Sequence, residues 1–196
     1  MAEGPSFRAT LSRIYWTRQA LRFALFIVTV WLLITGIASL ESGAASAFAG
    51  LNSARGVFQS LAEGFLQAIA VPAGCMIVLV TAAAATQARD IRRRDPVRRF
   101  SAQQRQIGMA RANGLCELES ALGRRCSRPA EHGDHYYPWS KGGATSLRNF
   151  AAACSRCNRT KGARLPTPGH QVRLEKRRSS YVSSPEMAMI GERRSL

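Results

Sequence analysis

From Phe23 to Leu40 the chain reads FALFIVTVWLLITGIASL, eighteen positions between Arg22 and Glu41 without a charge. As a helix rising about 1.5 Å per residue, this run reaches about 27 Å, close to the roughly 30 Å hydrocarbon core of a bilayer. A second uncharged run extends from Gly64 to Ala88. Pro72 falls inside it, a position that membrane helices accept better than soluble ones. Neither run carries the polar stripe at 3.6-residue spacing that marks a surface helix. A buried helical hairpin would share this pattern, but the rest of the chain offers no second apolar layer to cover one. The pattern therefore predicts membrane helices over 23–40 and 64–88, joined by a Gly/Ala/Ser-rich loop over 41–63. Reading residues 1–47 as a secretory signal cleaved after Ala45-Ser46-Ala47 is an alternative, with the second run still an anchor.

After Ala88 the pattern changes. Asp95-Pro96 has the form of a helix start, an N-cap carboxylate followed by proline. Val97, Phe100, Ile107 and Ala110 then recur near helical spacing, and Asn113-Gly114 supplies a stop. Past Arg164, Pro, Ser, Arg and Glu follow without periodicity. The predicted organisation is a basic N-terminal segment 1–22, the two spans and their loop, a basic helical linker 89–104, a small domain 105–165 and a disordered tail 166–196. No internal repeat is present.

Charge sharpens this division. The chain has 196 residues with 28 Lys and Arg against 12 Asp and Glu, a formal net charge of +16. Such a balance points to anionic partners, phosphate backbones or lipid headgroups. A hydrophobic content of 46% excludes disorder of the whole chain. Between Phe23 and Ala88 only Glu41, Arg55 and Glu63 are charged, whereas arginines crowd both flanks. By the positive-inside rule both termini and the C-terminal domain face the cytoplasm, in a multi-pass protein of the cytoplasmic membrane. The cluster Arg89–Arg99 then reads first as a topology determinant against anionic lipid, and second as a nucleic-acid contact.

Four of the five cysteines, Cys116, Cys126, Cys154 and Cys157, lie in the C-terminal domain. The C-x-x-C pair places two thiolates on one tight turn, as tetrahedral zinc requires, and a hairpin can bring Cys116 to Cys126. Disulfides are the alternative, disfavoured in a reducing compartment. A domain this small with few large apolar side chains needs a staple, and structural Zn²⁺ is the expectation. Cys75, alone in the second run, is expected to be lipid-facing or packed.

Asp134-His135-Tyr136-Tyr137-Pro138-Trp139-Ser140-Lys141-Gly142-Gly143 lies between the cysteine pairs, followed by Asn149-Phe150 and then Cys154-Ser155-Arg156-Cys157-Asn158-Arg159-Thr160-Lys161-Gly162. In this order, D-H-x-x-P-x-S-x-G-G, N-F and C-x-x-C-N-x-x-K-G resemble the HNH endonuclease family. The resemblance covers about 60 residues and does not extend to 1–95. It implies an α+β fold, a ββα-metal unit of two short strands and a helix closing over one divalent ion, here behind a two-helix transmembrane hairpin. It further implies Asp134 and Asn158 as ligands of the catalytic ion, His135 as general base, and Asn149 as the residue that holds the strand–loop geometry and orients His135. The four cysteines match the zinc knuckle of many members. Asn158 stands where the family name implies histidine, a frequent variant, and Tyr136-Tyr137 replace the usual aliphatic residue.

Chemistry supports these roles separately. Hydrolysis of a phosphodiester needs an activated water and counter-charge for the pentavalent transition state. Histidine's ordinary pKa, about 6.5, suits proton transfer near neutrality. An oxygen-only ligand set suits Mg²⁺ or Mn²⁺. Neighbours on a strand point to opposite faces, so Asp134 and His135 can serve one centre only if the strand bends. His132 is expected to be solvated, and His170, in the tail, to be inert. Lys141, Arg148, Arg156, Arg159 and Lys161 supply the field for phosphate, with Arg124, Arg125, Arg128 and Arg164 nearby. Without a recognition helix, DNA binding of low sequence specificity is expected. The leading expectation is a membrane-anchored, metal-dependent DNA endonuclease. A zinc-stabilised nucleic-acid binder without catalysis and a membrane scaffold are the alternatives.

Overall fold

The computed structural model describes residues 7–49, 54–119 and 123–195. Two units make up the chain, Thr17–Thr86 and the remainder.

The first unit belongs to two long helices, α1 (Phe7–Ala49) and α2 (Ala54–Arg92). Phe7–Ser39 and Ala62–Arg92 are long and apolar enough to cross a membrane, and only 6% of the most apolar window of each is buried. Phe26, Leu33, Ile34, Val71, Ile77 and Val78 are each more than half exposed. The hydroxyls of such helices turn inward to the backbone: Thr29 donates to Leu25 O at 2.8 Å and Thr35 to Trp31 O at 2.9 Å. Cys75 is exposed on α2. Helix extends well into the connection expected over 41–63, to Ala49 on one side and from Ala54 on the other, with 50–53 outside the described residues. Alanine, the best helix former, is frequent on both sides, and nothing there stops a helix.

The second unit is a small domain. Helix α3 (Ala102–Arg111) begins at Ser101, whose side chain accepts from Gln104 N while Gln104 returns a bond to Ser101 N. This reciprocal cap fixes the start six residues after Asp95, contrary to the expectation from Asp95-Pro96. Asp95 is engaged elsewhere: its carboxylate accepts from Val97 N and Thr145 N, both at 3.0 Å. The expected stop is found, with Asn113 and Gly114 at φ of 53° and 66°.

Strands β1 (His132–His135) and β2 (Phe150–Ala153) pair antiparallel, His132 opposite Ala153 and His135 opposite Phe150. Helix α4 (Ser155–Lys161) follows directly, completing the expected ββα order. All four β2 residues are buried, three of them alanines. The pairing is narrow because Phe150 needs room on both sides. A Cβ on Gly133 or Gly108 would meet its ring at 2.2 and 2.4 Å.

Residues 166–196 do not form a disordered tail. Thr167 caps α5 (Pro168–Arg178), and a short α6 (Pro185–Ala188) follows. Gln171, Leu174, Glu175 and Arg178 are buried. Ordering comes from a buried carboxylate: Arg178 donates to Glu117 from Nε at 2.8 Å and from Nη2 at 2.6 Å. Tyr181 adds a third bond to Glu117 at 3.0 Å. Ala152 N donates to the same carboxylate at 3.0 Å. Burial alone would raise the Glu117 carboxyl, but the Arg178 guanidinium, helped by Arg111, holds it below the usual carboxylate range. Start and end of the chain join the domain as well, Arg8 pairing with Glu175 at 2.5 Å and Phe7 lying edge-on to Tyr137 at 5.8 Å.

Arg178→Met removes the two-pronged partner of the buried Glu117 carboxylate, and loss of one partner of such a pair costs about 3–5 kcal/mol. Thermal unfolding of the full chain in detergent checks this. A disordered tail would leave the midpoint unchanged.

Candidate catalytic cleft and cysteine cluster

The cysteine cluster forms where two turns meet. Cys116 N donates to Arg128 O and Cys126 N to Leu118 O, both at 2.9 Å, so Cys116 and Cys126 are brought together as expected, with residues 120–122 outside the described set. Cys154 caps α4, its sulfur accepting from Cys157 N at 3.4 Å, which carries Cys157 to the same point. The four Sγ atoms lie within 4.8 Å of one another. Cys126 and Cys154 are 3.9 Å apart, too far for a disulfide and close to the edge of a zinc–thiolate tetrahedron, about 3.8 Å for Zn–S bonds of 2.3 Å. Burial, together with the neighbouring sulfurs, pushes the Cys116 thiol up to about 11 and Cys157 further still. A divalent cation would reverse that by holding the thiolates. The donor set therefore fits structural zinc.

At the other end of α4 lies the cleft of interest, a cavity of about 550 Å³ lined by Asp134, His135 and Asn158 together with Gly133, Phe100, Arg98, Arg99 and Arg105. Three of the expected site residues thus share one cavity. β1 ends at His135; Tyr136 N still extends the pairing to Asn149 O at 2.8 Å, and the chain bends at Tyr136-Tyr137. Asn149 is fully buried, and its side-chain hydrogen bonds go to Tyr137, Ala144 and Glu192. Its amide accepts from Tyr137 N at 2.8 Å and donates to Tyr137 O and Ala144 O at 3.0 and 2.8 Å, closing the loop that both strands enter. The two motif glycines serve that loop differently. Gly142 holds a φ of 86°, while a Cβ on Gly143 would sit 2.0 Å from Tyr137 O.

The His135 ring is held on two sides. Its ring stacks on Phe100 with centroids 4.3 Å apart. Nε2 lies 3.0 Å from Thr145 Oγ1. The Thr145 hydroxyl gives its single hydrogen to Val97 O, so it accepts from His135, which assigns the ring proton to Nε2 and leaves Nδ1 with its lone pair. Burial, then the charges of Lys161 and Arg98, lower the ring's pKa to about 4, so it is neutral at pH 7.

Asp134 is half-buried, and its pKa is raised by that burial, against the pull of Lys161. Lys161 Nζ lies 2.8 Å from Asp134 Oδ2 and donates to His135 O at 2.7 Å. That Oδ2 accepts no well-directed hydrogen bond among the described residues. A shielded carboxylate oxygen with spare acceptor capacity, in one cavity with an amide from α4, fits a hard divalent cation.

Of the residues expected to hold nucleic acid, Lys161 lies at this site, whereas Arg148, Arg156 and Arg159 are exposed around the domain. Lys141 is half-buried in the turn Trp139–Lys141. Arg156 and Lys161 also line a second cleft of about 600 Å³ beside the cysteines, with Arg128, Arg164, Arg173 and His170. His132 is half exposed and bonds Ser155 at 3.2 Å. His170, expected to be inert, stacks on Tyr136 and meets its hydroxyl at 3.0 Å. Arg98, Arg99 and Arg105 were not expected here. A basic run after an apolar helix reads as a lipid contact, and only the stitching of 95–100 to Thr145 brings these arginines to the cleft.

Residues 123–164 match the family described as HNH endonuclease. Neither the curated proteins nor the solved structures give a match to the chain.

Cys154→Ser removes a thiolate ligand while leaving a hydroxyl able to cap α4. Metal analysis of the purified full chain is expected to find one zinc per molecule in the parent and well under half of that in the variant. The variant is also expected to unfold at lower temperature. Equal zinc in both proteins would refute the cluster as its site.

Proposed function

We propose that the chain is a membrane-anchored, metal-dependent endonuclease that hydrolyses phosphodiester bonds in DNA with low sequence specificity. The observation that carries this reading is the convergence of Asp134, His135 and Asn158 on one basic cavity, within the segment that matches a nuclease family.

His135 is the general base. With its proton on Nε2, engaged by Thr145, the ring presents Nδ1 to a water, takes a proton from it as the water oxygen attacks phosphorus, and becomes imidazolium as the ester P–O bond breaks. Phe100 limits rotation of the ring, so the base stays aligned. Asp134 and Asn158 would hold the ion, Mg²⁺ or Mn²⁺, which when bound supplies counter-charge to the phosphate and the leaving oxygen. Lys161 adds positive charge beside Asp134 and fixes the backbone at His135. Asn149 acts through the loop it closes, as a positioning residue.

The two apolar helices support anchoring in the cytoplasmic membrane. Arginines at 13, 18 and 22 precede the uncharged run 23–40, and those at 89 and 92–94 follow the uncharged run 64–88. By the positive-inside rule, that asymmetry supports both termini and the nuclease domain lying on the cytoplasmic side.

Full-length protein in detergent, incubated with supercoiled plasmid and Mg²⁺ or Mn²⁺, is expected to nick it, and EDTA to prevent this. His135→Ala is expected to slow cleavage by about 10²–10⁴-fold, the usual contribution of a general base. Equal rates would remove His135 from the mechanism. Retarded DNA with no cleavage under either ion would favour a binding module instead.

A further inference from the structure

Arg98, Arg99 and Arg105 lie outside the segment that matches the family, on the stretch between α2 and the end of β1, yet they line the same cavity as Asp134, His135 and Asn158. Among the described residues, no carboxylate forms an ion pair with any of the three, whereas Lys161 is committed to Asp134. Free cationic side chains are ordinary on a surface. These differ in being carried by a backbone that is fixed to the catalytic loop at several points.

Asp95 accepts from Thr145 N at 3.0 Å, and Trp139 Nε1 donates to Asp95 O at 2.8 Å. Thr145 closes the connection by donating to Val97 O. Phe100 is wedged between the His135 ring and the Phe150 ring, with centroids 4.3 and 4.9 Å away. Arg98 lies over the Trp139 ring at 5.1 Å. Gln104, one residue before Arg105, donates to Thr145 O at 3.1 Å. The segment 95–105 is therefore one wall of the cleft. A cation held in place loses less entropy on gripping an anion than one on a free arm.

Two anionic partners compete for such arginines. Arg89 and Arg92, in the last turns of α2, are exposed and do not line the cavity. A bilayer headgroup suits those. The cavity that holds the candidate base and metal ligands suits a phosphodiester backbone. We propose that Arg99 and Arg105, with Arg98 beside them, grip the substrate phosphates flanking the scissile one, so that the stretch following the second apolar helix forms half of the substrate site. This rests on the nuclease reading of the cleft. Guanidinium groups contacting phosphate read no base, which agrees with low sequence specificity.

The test uses the full chain in nanodiscs, with and without anionic lipid, and a fluorescein-labelled DNA duplex with no added Mg²⁺ or Mn²⁺ and no chelator, so that zinc stays on the cysteines and binding is measured without cleavage. Each phosphate contact contributes about 0.9 to the slope of log K against log salt on duplex DNA. Arg99→Gln/Arg105→Gln is expected to lower that slope by about 1.8 in both kinds of disc. Arg89→Gln/Arg92→Gln, matched for charge, is expected to leave it unchanged. A parental slope in the first variant, an equal loss in the second, or a loss seen only with anionic lipid would each overturn the grip. Plasmid cleavage under Mg²⁺ or Mn²⁺ is scored alongside. Cleavage by the parent with an unaltered slope in Arg99→Gln/Arg105→Gln sinks the grip and spares the nuclease. The expected slope change with no cleavage sinks the nuclease and keeps the arginines as DNA ligands.

Discussion

A carboxylate withdrawn from water must be surrounded by donors, and Glu117 imposes that demand on the whole domain. Its oxygens take bonds from Arg178 on α5, from Tyr181 beyond it and from Ala152 N on β2. Arg111, at the end of α3, lies 4.0 Å away and bonds Phe150 O at 2.8 Å. Arg178 reaches the same carbonyl at 2.8 Å. One acid thus draws the cysteine hairpin, the second strand, the helix before the sheet and the helix after it to a single point. An apolar cluster could supply equal stability. It would not fix direction, and each of these donors has one permitted geometry.

Direction matters because the strands are only four residues long. Two such strands are not stable alone. Here the cysteine cluster holds the hairpin and the start of α4 at one end, and Asn149 closes the loop at the other. Between them Phe150 lies close against Gly108 and Gly133, where any side chain would collide with the ring. Asp134 and His135 stand at the last rungs of a ladder fixed from both sides. That allows two adjacent residues to share one cavity, which a continuing strand would forbid.

What could be read from the sequence divides along a physical line. Cys116, Cys126, Cys154 and Cys157 were legible because thiolate spacing alone implies convergence, and Asp134, His135 and Asn158 because their motif is local. Helix α5 was not legible, although Gln171, Leu174, Glu175 and Arg178 follow the helical stripe i, i+3, i+4, i+7. Three of the four are polar, so the stripe carries no hydrophobic period. Their burial depends on partners distant in the chain, Glu117 for Arg178 and Arg8 for Glu175. The start of α3 was misplaced for a related reason. Asp95 looks like a cap, but its carboxylate is spent on Thr145, fifty residues on.

The same long-range bond belongs to a set that ties residues 90–101 into the small domain. Arg93 donates to Arg194 O and Arg194 to Arg94 O, each at 2.8 Å, while Arg193 pairs with Asp90 at 2.9 Å. Gly143 and Arg193 form a bridge, so the last described residues bind the catalytic loop and the end of α2 together. Thr145 then passes the constraint to His135 through one hydroxyl, donating to Val97 and accepting from the imidazole. The tautomer of the candidate base is therefore set, through Thr145, by the backbone carbonyl of Val97.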